Sequence, residues 1–246
     1  MSSRQIPGQL ITTKDPAAAT TDAARRIAAA LASAVAARGH ATLALSGGNT
    51  PRDAYATLAR APGVDWSKVR VFWVDERAVP PGDDRSNYRW AKATLLDVAP
   101  IAPDHVHRMP ADAPDLEASA RAYEQAVRSA VAADPDGVPA FDVMVLGIGD
   151  DGHTASLFPG DPAIDVTDRV VVAVAAQRGL EARLTLTRPV IQHARLVLVL
   201  VVGAAKRPAL AKAWALDGDM HEIPSRLVRD CRGEVVWIVD EAAAAL

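Results

Sequence analysis

Short runs of β-branched and aliphatic residues alternate with longer Ala-rich stretches in which apolar positions recur every three or four residues. That alternation predicts strands and helices in turn. Residues 17–38 read as a helix, opened by Asp15-Pro16 and closed by Gly39, with Ile27, Leu31 and Val35 as its buried stripe. A buried strand follows at 41–46, then a Gly-rich turn and a helix from Pro51. Further strands are expected at 69–74, 141–146, 195–202 and 234–239, and helices at 86–96, 112–133 and 204–216. Residues 170–175 and 182–187 are short apolar segments suited to antiparallel pairing.

This rhythm predicts an α/β fold: a mostly parallel, doubly wound, Rossmann-like sheet with helices on both faces and a few short antiparallel strands. There is no repeat, low-complexity linker or shift in composition, so residues 1–246 are expected to form a single domain. In such folds ligands bind beyond the carboxyl ends of the strands. The residues after each strand therefore matter most.

Composition narrows the function classes. Lys and Arg number 27 against 30 Asp and Glu, a net charge of -3, so no basic excess exists to neutralise a nucleic-acid backbone. The single cysteine, Cys231, excludes a disulfide framework and a cysteine-based zinc site, and suits a reducing compartment. Met1-Ser-Ser-Arg-Gln-Ile-Pro7 lacks a secretory apolar core, and the longest apolar run, Leu196 to Ala205, is about half a membrane span. A cytoplasmic protein with no membrane partner is expected.

Four strand ends carry candidate chemistry. Ser46-Gly47-Gly48-Asn49-Thr50-Pro51 combines two glycines, which let the backbone approach a ligand, with a helix start at which Asn49 or Thr50 can cap. Amides at such a helix start suit a phosphate, although a plain strand–turn–helix connection has the same pattern. Asp75-Glu76-Arg77 places three charges directly after an apolar strand, as an internal ion pair or with Arg77 forked onto a phosphate. Lys206, in the first turn of a helix, opposes the helix dipole, which fits either a bound anion or a solvated lysine.

The remaining strand end is Gly147-Ile-Gly-Asp-Asp-Gly-His-Thr-Ala-Ser-Leu-Phe-Pro159. Its first six residues match GxGxxG, yet two aspartates would face a pyrophosphate and Pro159-Gly160 leaves almost no helix to receive one. What remains is a tight loop presenting Asp150, Asp151 and His153, in which a carboxylate can fix the imidazole tautomer for proton transfer. A metal site or a structural histidine are the other readings of the same residues.

Taken together, the Ser46–Pro51, Asp75–Arg77, Ser86-Asn87, Gly147–Pro159 and Gly203–Lys206 segments resemble the 6-phosphogluconolactonase family, in the family's order and across most of the chain. The Asp-Gly-His-Thr-Ala-Ser-Leu-Phe-Pro string is the most specific of them. The resemblance implies hydrolysis of 6-phospho-D-glucono-1,5-lactone, a small-molecule phosphorylated sugar lactone, without cofactor or metal. It places the catalytic base at His153 and phosphate-binding positions at Arg77 and Lys206. Asp151 is then expected to orient or balance His153; Ser46, Gly47, Gly48, Asn49 and Thr50 would join in holding the phosphate, and Asn87 would contact sugar hydroxyls.

Two segments depart from the family pattern, Pro80–Arg85 and Ile223–Arg226, which leaves Arg85 and Arg226 as open substrate contacts. The rival reading is a glucosamine-6-phosphate deaminase or isomerase of the same superfamily. That family continues its Asp-Gly-His loop with Ile-Ala-Phe-Asn-Glu-Pro, whereas this chain has Thr154-Ala-Ser-Leu-Phe-Pro159 and lacks the glutamate. A non-catalytic sugar-phosphate sensor would need a DNA-binding module for which this chain has no room.

Overall fold

The computed structural model describes residues 5–177 and 179–245, so Met1–Arg4, which the leader reading above relied on, lie outside the described residues. Local chemistry sets the first helix, α1 (Pro16–Arg38). Asp15 accepts a hydrogen bond from the Ala18 amide at 2.7 Å, and Pro16 has no N–H to satisfy. The helix stops at Gly39, whose φ of 78° only glycine adopts freely and whose N–H bonds the Val35 carbonyl. Ile27 and Leu31 are buried as expected, but Ala34 rather than Val35 completes the stripe.

Six parallel strands form the main sheet, in the order β1-β9-β8-β5-β2-β3. They are β1 (Gln9–Thr13), β2 (Ala41–Leu45), β3 (Val69–Trp73), β5 (Val143–Leu146), β8 (Leu196–Val201) and β9 (Glu234–Asp240). β5 and β8 are buried almost throughout, as neighbours on both sides require. The edge strand β1 escapes the sequence pattern because no residue of it is fully buried, so it lacks the apolar run of its neighbours.

A second, antiparallel sheet holds β4 (Asp75–Arg77), β7 (Arg183–Leu186) and β6 (Val171–Val174), in that order. The 170–175 and 182–187 segments thus pair as expected. The Asp75–Arg77 segment, read from the sequence as the charged end of the preceding strand, is itself a separate strand. Val74 joins the two sheets: its N–H bonds the Leu45 carbonyl at 2.8 Å and its carbonyl accepts from Leu186 at 2.7 Å.

Helices pack around the main sheet. α1 lies across β9, β2 and β8 and beside α2 (Asn49–Leu58). The helix expected over 86–96 is α3 (Asn87–Ala91) followed by a wider π-type turn. α4 (Leu116–Ala130) is shorter than the 112–133 expected, because Asp115 caps it on the Ala118 amide. α5 (Arg188–Gln192), α6 (Arg207–Trp214) and α7 (Glu241–Ala244) are short. The core centres on Phe72, Trp73, Phe141 and Trp237, all fully buried, with Trp214 edge-on to Trp237 at 5.4 Å. Among the described residues no helix is long and apolar enough to cross a membrane.

β2 has β3 on one side and β5 on the other, so the chain reverses its direction of winding between β2 and β5. The loops after these two strands diverge and leave a crevice at their carboxyl ends.

Candidate active site

A cavity of about 310 Å³ occupies that crevice. Ser46, Gly47 and Gly48 line it from the end of β2; Gly147 to Asp150 and His153 line it from the end of β5. Arg77, Asn87 and Lys206 complete the set that the sequence singles out. Asn49 and Thr50 do not line it, and neither side chain caps α2, whose N-cap is Gly48 with no side-chain bond. The first-turn amides of α2 are therefore free of any side-chain cap. Gly47 is required by crowding, since a Cβ there would overlap the Asn87 carboxamide.

The loop after β5 folds as a tight turn and not as a helix start: Gly152 donates to the Gly149 carbonyl at 3.0 Å and Gly149 to the His153 carbonyl at 2.9 Å. The next helical turn begins only at Pro162, so the dinucleotide reading of GxGxxG lacks its helix. Asp151 Oδ1 lies 2.6 Å from His153 Nδ1 and also accepts from the His153 amide at 3.1 Å. A carboxylate can only accept, so Nδ1 carries the hydrogen and Nε2 of the neutral ring carries the lone pair. Burial by itself would raise the Asp151 carboxyl, but the His153 amide and imidazole hold it below its ordinary value. The ring is backed by Phe158, 4.7 Å away, and by Gly149, where a Cβ would overlap the imidazole.

Behind this loop lies a buried polar cluster. Asp75 is 5% exposed. It accepts from Ser156 Oγ at 2.6 Å and from Asn87 Nδ2 at 3.2 Å, and Arg183 Nη1 stands 3.7 Å from its carboxylate. Glu76 receives the amides of Arg77, Asn87 and Tyr88 at 2.7–2.8 Å and the Ser86 hydroxyl at 3.0 Å. Burial nevertheless pushes its pKa up, those three amides offsetting only part of the desolvation. Glu76 thus anchors the start of α3 and sets Asn87 at the cavity wall.

Arg183 is the cavity residue that sequence reasoning missed. Its guanidinium lines the cavity 5.5 Å from the centroid of the Phe158 ring, with Nε buried and unpartnered. The available signal was a charge inside the apolar strand Arg183-Leu-Thr-Leu186. Arg85 and Arg226 point elsewhere: Arg85 pairs with Asp83 and Glu181, and Arg226 binds the Lys212 and Ala215 carbonyls.

Three cations, Lys206, Arg77 and Arg183, border the cavity against two carboxylates, Asp75 and Asp150. Lys206 sits in a 3-10 turn just before α6, 2.6 Å from the exposed carboxylate of Asp150. Arg77 Nη1 donates to the Arg85 carbonyl, which leaves its charge uncompensated by any carboxylate ion pair among the described residues. The two carboxylates that line the cavity are partnered, Asp75 by Ser156 and Asp150 by Lys206, whereas Asp151 does not line it and meets it only through its bond to His153. Such a surface suits a small anion held beside an oriented imidazole.

An α/β enzyme with a cationic crevice at its switch point is the class these features define. Comparison with known proteins gives the family: the profile of glucosamine-6-phosphate isomerases and 6-phosphogluconolactonases matches residues 14–237, and the chain belongs to that family. A 6-phosphogluconolactonase from Synechocystis sp. is 42% identical over 210 residues, covering 85% of this chain and 86% of its own. The solved 6-phosphogluconolactonase of Trypanosoma brucei is 28% identical with a TM-score of 0.84, covering 99% of both chains. A monomeric glucosamine-6-phosphate deaminase shares the fold at a TM-score of 0.82 and 21% identity, covering 97% of this chain and 99% of its own.

Proposed function

We propose that this chain hydrolyses 6-phospho-D-glucono-1,5-lactone to 6-phosphogluconate by general-base activation of water. The observation that carries the reading is His153 in the wall of a cavity bordered by Lys206, Arg77 and Arg183, with Asp151 2.6 Å from its Nδ1. His153 Nε2 takes a proton from water as the oxygen attacks the lactone carbonyl. The tetrahedral adduct expels the ring oxygen, which recovers the proton from the imidazolium. Asp151 keeps Nδ1 protonated and offsets the transient positive charge. Positioned bases of this kind supply ~10²–10⁴-fold.

The phosphate is held by Lys206, Arg77 and Arg183, with the Ser46–Gly48 backbone that leads into α2 beside them. Asn87 reaches the sugar hydroxyls. The lactone is favoured over an amino-sugar phosphate by Phe158, which stands where the deaminase pattern has glutamate and fills the space under His153 with an apolar ring. No step needs a cofactor. One continuous core from Ala19 to Ala243 supports a single domain, and the lone Cys231 and the modest net charge support a cytoplasmic enzyme with no nucleic-acid or membrane partner.

The test is lactone hydrolysis by the purified chain, with the lactone generated in situ from glucose-6-phosphate because it also opens unaided. Acceleration over the spontaneous rate supports the reading. No acceleration, together with ammonia release from glucosamine-6-phosphate, would overturn it in favour of the deaminase.

A further inference from the structure

We propose that Asp134, Asp136 and His193 form a binding site for a divalent cation of the zinc class, at the end of the sheet opposite the candidate active site. Asp134 and Asp136 lie in the turn between α4 and β5, and His193 follows α5 and leads into β8. All three therefore stand at the amino ends of the central strands, whereas the cavity stands at their carboxyl ends. The proposal is independent of the lactonase reading.

The histidine carries the inference. His193 Nδ1 lies 2.6 Å from the Pro189 carbonyl oxygen, which can only accept, so Nδ1 holds the hydrogen. With Nδ1 so engaged, Nε2 is the ring nitrogen that can offer a lone pair to an ion. That nitrogen is buried and makes no hydrogen bond, in a side chain only 10% exposed. It faces Asp134 Oδ2 at 3.4 Å and Asp136 Oδ2 at 3.8 Å. Ligand bonds of about 2.0–2.2 Å around a tetrahedral zinc ion place neighbouring ligand atoms about 3.3–3.6 Å apart. The Asp134 spacing of 3.4 Å falls in that range, the Asp136 spacing of 3.8 Å lies just above it, and all three ligand atoms lie within 4.8 Å of one another.

Each ligand is also oriented from behind. A ring N–H donated to a backbone carbonyl is the usual support of a metal-bound histidine. Asp134, with its side chain 13% exposed, accepts the Asp136 amide at 3.0 Å and the Val138 amide at 3.1 Å, both through Oδ1. Oδ2 is left with the Arg232 guanidinium, at 3.5 Å, as its hydrogen-bond donor. At the candidate active site the opposite holds: the nitrogen of His153 that faces a carboxylate is already hydrogen-bonded to it.

Arg232 closes the outer side. Its guanidinium contacts Asp136 and stands 3.5 Å from Asp134 Oδ2, on a side chain that is 58% exposed. It serves as the local cation, and a metal ion entering the site would displace it toward solvent. Three protein ligands leave a fourth position for water. The ion would tie the turn before β5 to the turn before β8.

The test titrates the intact, untagged chain with Zn²⁺ against a chromophoric chelator, and with Co²⁺ followed by visible absorbance. The wild type should bind one equivalent more than His193→Gln, whose remaining histidines set the background. Asp134→Asn should weaken that equivalent at least tenfold, and Arg232→Ala should tighten it several-fold by removing the competing cation. Equal binding by wild type and His193→Gln would overturn the site, as would weaker binding in Arg232→Ala. So would a ¹⁵N spectrum at pH 8 in which His193 is an imidazolium that Zn²⁺ leaves unchanged.

Discussion

Lys206 Nζ and Asp150 Oδ1 stand 2.6 Å apart, and both residues line the cavity although they are distant in sequence. Asp150 is 81% exposed, so its carboxylate can leave at little cost when a phosphate arrives. Until then it competes for the lysine. Exposed ion pairs are worth about 0.2–1 kcal/mol, so Asp150→Asn is expected to lower KM by up to about fivefold, most at low ionic strength, with kcat nearly unchanged. Steady-state kinetics at two salt concentrations decides it. A raised KM would mean that Asp150 positions the lysine instead of masking it.

The Asp151–His153 pair predicts a split between two variants. His153→Ala removes the base and should lower kcat by ~10²–10⁴-fold with little change in KM. Asp151→Asn leaves the base but no longer fixes Nδ1–H, so its kcat should fall as well, by less than that of His153→Ala. Near-normal turnover in His153→Ala would remove the histidine from the mechanism.

Much of this site was legible in the sequence because it is built from strand ends. The βα rhythm fixes where four loops gather, and Ser46–Gly48, Arg77, His153 and Lys206 all come to one cavity. What escaped was set by contacts between distant segments. Asn49 and Thr50 share the segment but do not line the cavity, because the chain has already entered α2 at Asn49, which hangs on its path and not on residue type. The pairing of β4 with β7 made a strand of three charged residues, because Glu76 is satisfied by amides and Asp75 by Ser156. Arg183 was hidden for the same reason: nothing local says that its strand pairs with Asp75–Arg77 in a second sheet.

His221 predicts a pH-dependent element of stability. Its Nε2 lies 2.9 Å from Asp165 Oδ1 and its Nδ1 2.8 Å from Asp219 Oδ1. Its carbonyl accepts from Gly160, and nearby Ile223 abuts Gly152 in the loop that carries His153. Hydrogen bonds to Asp165 and then Asp219 raise the imidazole pKa above its ordinary value. A raised folded-state pKa means that the stabilisation is fully present below about pH 6.5, the unfolded value, and is lost as pH rises through the folded one. The melting temperature of the wild type should therefore exceed that of His221→Asn at pH 6, with the gap narrowing by pH 9. A gap independent of pH would show that the imidazolium contributes nothing.

Arg183 lines the cavity and stands beside buried Asp75, so a role in both binding and folding predicts that its removal is felt in both. Its side chain and that of Asp75 are 8% and 7% exposed, so each charge is largely cut off from bulk water. Removing one partner of a buried pair costs about 3–5 kcal/mol. Asp75 would keep Ser156 and Asn87 as donors, so the lower end is expected for Arg183→Met. At ~2–4 °C per kcal/mol for a chain of this size, the melting temperature should drop by roughly 6–12 °C. Adding Asp75→Asn removes the stranded carboxylate and should restore part of that loss, while leaving the cavity without the guanidinium. The double variant thus separates the two roles. If Arg183 holds phosphate, KM stays high in the double variant although stability returns; if KM recovers with stability, the arginine serves the fold alone.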